Sequence, residues 1–352
     1  MLLLSCMNIL VTGGAGYVGY SAVKMLARKY PQSKIIIHDN LSKSKLENVT
    51  PLLNLFPNVE MTAWESADIR DYEKFEKVLV EYKPDVVIHL AAIVDAFSTN
   101  REGKDIECTI VNQTAAIKIA EVCKKHGVKT FIYQSTVSMY SRGEDLKEDA
   151  PKEPLSTYGI SKYEAEKAIL QLDDENFNTC ALRSATLVGY NPAFRYETII
   201  NMLCIRSIYG ITTTLFESAL KNPKTYLALN DEAAAIIFAM ENISKMKGQA
   251  YNLTSFNTNL EDVVEEIEKN GLKARVKINK ENTINQQVYT INSDKIKSIG
   301  FSPKVSLEEV IKGTLTGLQE RKKENDAHFY PEGRVLNRLF RLVLTPLKSL
   351  MK

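Results

Sequence analysis

Residues 12–19 read Thr-Gly-Gly-Ala-Gly-Tyr-Val-Gly, directly after the apolar run Asn8-Ile-Leu-Val11 and directly before the helix-like Ser21-Ala-Val-Lys-Met-Leu-Ala-Arg28. A strand, a glycine turn and a helix start in that order form a phosphate-binding unit. Bare backbone lets a pyrophosphate approach, and unpaired amides at the helix start meet its charge. The loop predicts a nucleotide-binding unit at the head of the chain, with Gly13, Gly16, Tyr17, Val18 and Gly19 as its contacts.

The chain beyond the loop repeats this strand-then-helix rhythm. Short β-branched runs at Ile35–His38, Val59–Thr62, Asp85–Leu90, Thr130–Tyr133 and Thr179–Leu182 alternate with amphipathic stretches such as Tyr72–Tyr82 and Val111–His126. Such alternation specifies an α/β fold, a doubly wound parallel sheet with helices on both faces. Beyond Arg183 the rhythm loosens. A helix over Thr198–Ile208, a strand over residues 225–229, a helix over Asp231–Met240 and a final helix over Leu307–Gln319, capped by Ser306 with Glu309, fit a smaller mixed α/β lobe that returns some elements to the sheet. The expected division is 1–185 for the nucleotide-binding domain, 186–330 for the substrate lobe and 331–352 for a tail.

Composition removes several classes of function. A net charge of +2 supplies no basic field for nucleic acid. Five cysteines without a Cys-x-x-Cys and only four histidines give no metal-ligand spacing, so the thiols read as free and buried in a reducing compartment. The apolar start Met1–Met7 lacks the basic flank and length of a signal peptide, and no run approaches a membrane span, so the expected location is cytoplasmic. The tail places Val335, Leu336, Leu339, Phe340, Val343 and Leu344 on one helical face with arginines elsewhere. Such a helix packs on protein or rests on an anionic membrane surface.

The second strand ends in His38-Asp39-Asn40. A carboxylate there accepts hydrogen bonds from ribose hydroxyls and repels a 2′-phosphate, which favours NAD over NADP. Asp68 and Ile69, after the third strand, are candidates for the adenine. Leu90, Ala91 and Ala92, after the fourth, are candidates for close backbone approach at the sheet edge where such folds bind ligands.

The chemistry centres on Tyr158 and Lys162, four residues apart and so on one helical face, where a lysine cation can lower the tyrosine's pKa for proton transfer. Gln134-Ser135-Thr136 ends the fifth strand just upstream, and Thr136 there would face the same crevice and bond the substrate oxygen.

In their order, Thr12-Gly13-x-x-Gly16-x-x-Gly19, Asp39-Asn40-Leu41, Asp68, His89-Leu-Ala-Ala92, Asn112, Ser135-Thr136, Tyr158-x-x-x-Lys162, Leu182-Arg183 and Asn230-Asp231-Glu-Ala233 resemble the extended short-chain dehydrogenases/reductases. Within them the chain is similar to the NAD-dependent epimerase/dehydratase family that acts on nucleotide sugars. The resemblance implies a Rossmann fold, bound NAD and a homodimer. It implies that Tyr158 takes the sugar hydroxyl proton as hydride leaves the same carbon, with Lys162 holding the ribose and Thr136 orienting the hydroxyl. The stretch Asp39–Lys45 is especially similar to UDP-glucose/galactose 4-epimerases, which makes C4 epimerisation the expected reaction.

Departures from the family pattern narrow that reading. Val137-Ser138-Met139 stand where dehydratases place a carboxylate, no cysteine follows Ser135 as in fucose synthases, and Ser141 replaces a usual glycine. On the substrate side Thr186 replaces a usual asparagine and Lys224 a usual arginine, which keeps the charge without the two-pronged geometry. Arg195 and Asn201 resemble a substrate-lobe pattern. A reductase of a keto sugar is the alternative enzyme, and a non-catalytic NAD-binding protein is a third reading.

Overall fold

The computed structural model describes residues 6–94, 104–140, 142–280 and 289–323. In chain order its strands are β1 (Asn8–Thr12), β2 (Lys34–His38), β3 (Val59–Met61), β4 (Val86–His89), β5 (Thr130–Thr136), β6 (Gly143–Leu146), β7 (Asn178–Ser184), β8 (Thr186–Val188), β9 (Thr213–Phe216), β10 (Lys224–Ala228), β11 (Gln249–Leu253), β12 (Phe256–Thr258), β13 (Val276–Asn279) and β14 (Tyr289–Ile291). Seven of them form one sheet in the order β3-β2-β1-β4-β5-β7-β11, parallel throughout.

The runs Ile9-Leu10-Val11, Ile35-Ile36-Ile37 and Val86-Val87-Ile88 are buried along their whole length. That is the signature of parallel strands covered on both faces. Helices Tyr17–Lys29 and Leu229–Glu241 pack on one face, around Val23, Leu26 and Ile236. Helices Tyr72–Tyr82, Ala116–Lys125 and Thr157–Leu170 pack on the other, around Phe75, Ile119 and Ile169. Strand order reverses between β1 and β4, so the crossovers diverge there and leave a crevice at the C-terminal strand ends.

A third core joins β8, β10 and β12 to helices Ile199–Ile208, Leu260–Lys269 and Leu307–Lys323, around Leu203, Val263 and Ile311. The small parallel pairs β9–β13 and β6–β14 complete the strand set. Although they follow β10, helix Leu229–Glu241 and β11 lie back on the large sheet.

The helix expected at Tyr72–Tyr82 has those bounds. Asp71 caps its start by accepting from the Lys74 amide, and Lys83 ends it in a left-handed conformation (φ 45°) just before Pro84. The Ser306–Glu309 capping box also forms: Glu309 N–H donates to Ser306 Oγ, and Ser306 N–H donates to Glu309 Oε2.

Three features differ from expectation. The helix expected at Val111–His126 begins at Lys104 and passes through a π-helical turn at Ile110–Ala115, an inserted residue that periodicity does not reveal. Between the expected helix ending at Ile208 and the expected strand at 225–229, where the sequence pattern gives no element, the chain forms β9 and a short helix, Glu217–Lys221. Cys6 is exposed, because it precedes β1 at the sheet margin, whereas Cys108, Cys123, Cys180 and Cys204 are buried free thiols as expected. Ser141 and the 331–352 tail lie outside the described residues. Among the described residues no helix is long and apolar enough to cross a membrane, and no group of three His, Cys, Asp or Glu side chains could hold a metal ion.

Candidate active site

The glycine loop closes tightly on the neighbouring strand ends. Gly13 has φ 68°, donates its N–H to the His38 carbonyl at 2.9 Å, and lies so near the Ala91 backbone that a Cβ would collide with it. Gly16 occupies the N-cap of helix Tyr17–Lys29 without a side-chain cap. The helix-start amides are thus offered to a ligand.

Asp39 braces this loop from β2. Its Oδ2 accepts from Ala15 N–H at 3.0 Å, its Oδ1 accepts from Leu41 N–H at 2.8 Å, and Gly16 N–H adds a third bond. Burial raises its pKa above the ordinary carboxylate value, against the pull of these donors. Asn40 reaches Asp68 at 3.4 Å. Asp68 is held by Arg70 through bonds of 2.9 and 2.6 Å, which lower its pKa, so its carboxylate already has a cationic partner. The Ile69 side chain is buried in the core. Leu90 and Ala91 line the strand end, the Leu90 N–H donating to the Thr12 carbonyl. Ala92 comes next, half-buried.

Thr136, Tyr158 and Lys162 converge at the C-terminal end of β5. Ser156 caps helix Thr157–Leu170 by accepting from Gly159 N–H at 3.1 Å. Gly159 presses against the Ser138 carbonyl and Pro154 where any Cβ would collide. This contact lets the helix start meet the strand end. Thr136, 5% exposed, hydrogen-bonds to Tyr158 while its Oγ1 accepts from Ser138 N–H at 3.1 Å.

Lys162 is 2% exposed, with Nζ 4.0 Å from the centroid of the Tyr133 ring. Burial pushes its pKa down to about 7, against the charge of Glu166. The expectation that a lysine cation lowers the Tyr158 pKa needs revision. Burial raises the phenol overall, and the groups that pull it down are Thr136, through its hydrogen bond, and the Arg195 guanidinium. Lys162 is too far buried to hold its charge firmly at neutral pH.

The remaining substrate-side candidates separate. Arg195 donates from Nη2 to the Val94 carbonyl at 3.0 Å and acts electrostatically on both Tyr158 and Tyr17. Thr186 is exposed on β8, opposite Tyr226 of β10, and Lys224 begins β10 two residues earlier. Burial lowers the Lys224 pKa, and among the described residues no carboxylate pairs with it. Asn201 is fully buried and its amide is satisfied internally. It accepts from Gly189 N–H and donates to the Tyr17 hydroxyl and the Arg195 carbonyl. Its place is structural. Tyr17 likewise turns away from the loop and donates to the Gly189 carbonyl, while Val18 packs on the core.

Sequence motifs miss one residue at this centre and leave the role of another unstated. Tyr289 on β14 bonds to the Ser138 side chain and couples electrostatically to Tyr158, with burial pushing its pKa up to about 12. It comes from a distant segment with no motif. Asn112, recognised only as a motif member, sits in the π-turn, accepts from Ile93 N–H at 2.8 Å and donates to the Ile93 carbonyl at 2.9 Å, pinning the chain after β4.

The chain as a whole is similar to known proteins. A UDP-arabinose 4-epimerase of Arabidopsis thaliana is 32% identical over 192 residues, which cover 53% of this chain and 45% of that one. The chain thus spans about half the length of such relatives. A dTDP-D-glucose 4,6-dehydratase of Mus musculus is 28% identical over 88% of this chain and 87% of its own. The crystal structure of a Thermotoga maritima UDP-glucose 4-epimerase with UDP-glucose superposes with a TM-score of 0.74 at 27% identity, covering 90% of this chain and 99% of that one. The glycine loop, its bracing aspartate and the hydroxyl-phenol-lysine cluster all fall within residues 9–254, which match the family model, and the chain belongs to the NAD-dependent epimerase/dehydratase family.

Proposed function

We propose that this chain epimerises a nucleotide sugar at C4, with NAD as its resident cofactor. The observation that carries the reading is the convergence of Thr136, Tyr158 and Lys162 beside the Gly13–Gly19 loop and Asp39. The amides of the first helical turn, at Tyr17 and Val18, suit the pyrophosphate, and Asp39 suits the ribose hydroxyls and opposes a 2′-phosphate. When bound, NAD accepts hydride from a sugar carbon and returns it to the opposite face.

Tyr158 removes the hydroxyl proton from that carbon and later restores it. Thr136, hydrogen-bonded to the same phenol, stands where it can also hold the reacting oxygen. Lys162, buried in the same cluster, binds the ribose. Arg195, close to Tyr158, favours the phenolate electrostatically. Lys224 and Thr186, near neighbours on paired strands, are suited to the substrate's diphosphate and sugar hydroxyls. The absence of a carboxylate among Val137-Ser138-Met139 opposes dehydration, although a dehydratase is among the relatives. We further infer a homodimer, on the strength of the family resemblance.

Incubation with UDP-glucose, UDP-galactose, UDP-xylose and UDP-arabinose, followed by chromatography, tests the reaction. Two sugars should interconvert without net change at 340 nm. Sustained NADH formation would instead favour a dehydrogenase. Tyr158→Phe should lower turnover by roughly 10²–10⁴-fold while NAD binding persists.

A further inference from the structure

One wholly buried acid beside the active centre has no role in C4 epimerisation as proposed. Glu232, in the first turn of helix Leu229–Glu241, has no exposed surface. Its Oε2 accepts from the Ser184 hydroxyl at 2.8 Å, and its Oε1 accepts no hydrogen bond from the described residues. Ser184 ends β7 and is the register partner of Thr136, which ends β5 and bonds to Tyr158. A short path of side chains therefore runs from this carboxyl to the catalytic phenol.

Among the described residues no cation neutralises Glu232. From the sheet, Arg183 points to the opposite face and is engaged by Glu166 at 2.6 Å. From helix Tyr17–Lys29, Lys29 pairs with Glu241 at the far end of the Glu232 helix, and Arg28 lies over the Phe56 ring. Lys24 is felt by neither Glu232 nor Tyr158, and Lys224 stands at the opposite end of β10 from the start of the helix. Tyr17 and Tyr20, the phenols of the facing helix, are neutral near pH 7, burial raising both. Charging a carboxyl in such surroundings is costly. Burial accordingly lifts its pKa to about 7, with the Ser184 bond pulling the other way. Its charge in turn raises the pKa of Tyr158.

We propose that Glu232 is a positioning residue that governs the proton of Tyr158: protonated, it leaves the phenol free to ionise, and ionised, it holds the phenol's proton in place. The centre then carries one negative charge shared between two groups, and its working pH range is set from the far side of the sheet. This coupling rests on Tyr158 being in the active centre but needs no particular substrate, so an optical titration tests it apart from the epimerase reading.

In the protein as purified with its cofactor, the tyrosinate absorbance near 295 nm is followed against pH, and subtraction of Tyr158→Phe isolates Tyr158. Glu232→Gln, which keeps the size and an acceptor for Ser184, should move that ionisation down by about 0.5–1 pH unit. Glu232→Asp, retaining an acid, should move it less. Coincident titrations of Glu232→Gln and wild type, at unchanged circular dichroism, would overturn the proposal. Should Glu232→Gln fail to fold, wild-type protein labelled with δ-¹³C glutamate still decides. One carboxyl carbon should titrate near neutral pH, and titration of every glutamate in the ordinary carboxylate range would overturn the proposal.

Discussion

The Asn201 amide donates to the Tyr17 hydroxyl across 2.9 Å and accepts from the Gly189 N–H at 3.1 Å, while Tyr17 donates to the Gly189 carbonyl at 2.6 Å. Tyr17, far in sequence from the other two, is thereby tied to Gly189 and Asn201, which joins the helix behind the glycine loop to helix Ile199–Ile208 of the third core. Asn201→Ala leaves buried donors and acceptors unpaired. It should lower unfolding stability by about 2–3 kcal/mol in urea titrations, and the Tyr17 hydroxyl, deprived of its donor, should become more mobile.

Gly19 faces the loop from inside the helix. A Cβ there would run into the Gly13 carbonyl and the Gly14 backbone, neither of which can yield without opening the turn. Gly19→Ala should abolish high-affinity NAD binding, measured by calorimetry. A variant that folds and binds NAD like the wild type would show that the loop can relax.

Glu166 and Arg183 form a buried pair, with Nε and Nη2 of the guanidinium on the carboxylate and Nη1 on the Tyr140 hydroxyl at 2.7 Å. Removing one partner strands the other charge. Glu166→Ala should cost about 3–5 kcal/mol of stability by chemical denaturation, more than the change at Asn201. Because Glu166 also supports the charge of Lys162, Glu166→Gln should depress the lysine's pKa further.

Lys162 makes stability depend on pH in the cofactor-free protein. Its folded pKa of about 7 lies below its ordinary value of 10.5. Between those values the unfolded chain binds more protons, so the lysine's contribution to stability rises with pH; below about 7 both states are protonated and the burial penalty is greatest. Lys162→Met should therefore gain most over wild type near pH 6, by roughly 1–3 kcal/mol relative to pH 9. Melting curves of both proteins at the two pH values check the direction.

Local pattern made much of this protein legible. The buried triplets of β1, β2 and β4, the capped helix after Asp71, the glycine loop and the Tyr158–Lys162 spacing are short-range features, fixed by burial, backbone freedom and helical pitch within a few residues. They sufficed to place Thr136, Tyr158 and Lys162 in one crevice, because parallel strands bring their C-terminal ends together whatever the details of the loops.

Only the tertiary structure decided which of these groups carry charge and which candidates are already satisfied. Asn201 reads as a ligand contact until its amide meets Tyr17 and Gly189, and Lys162 reads as a firm cation until burial beside Tyr133 draws its pKa down. Tyr289 carries no motif, and nothing in the Asn230–Ala233 motif marks Glu232 as buried beside Ser184, yet elements far along the chain set both around Tyr158. Desolvation and long-range hydrogen bonding depend on what surrounds a side chain in space, and sequence spacing holds no record of that.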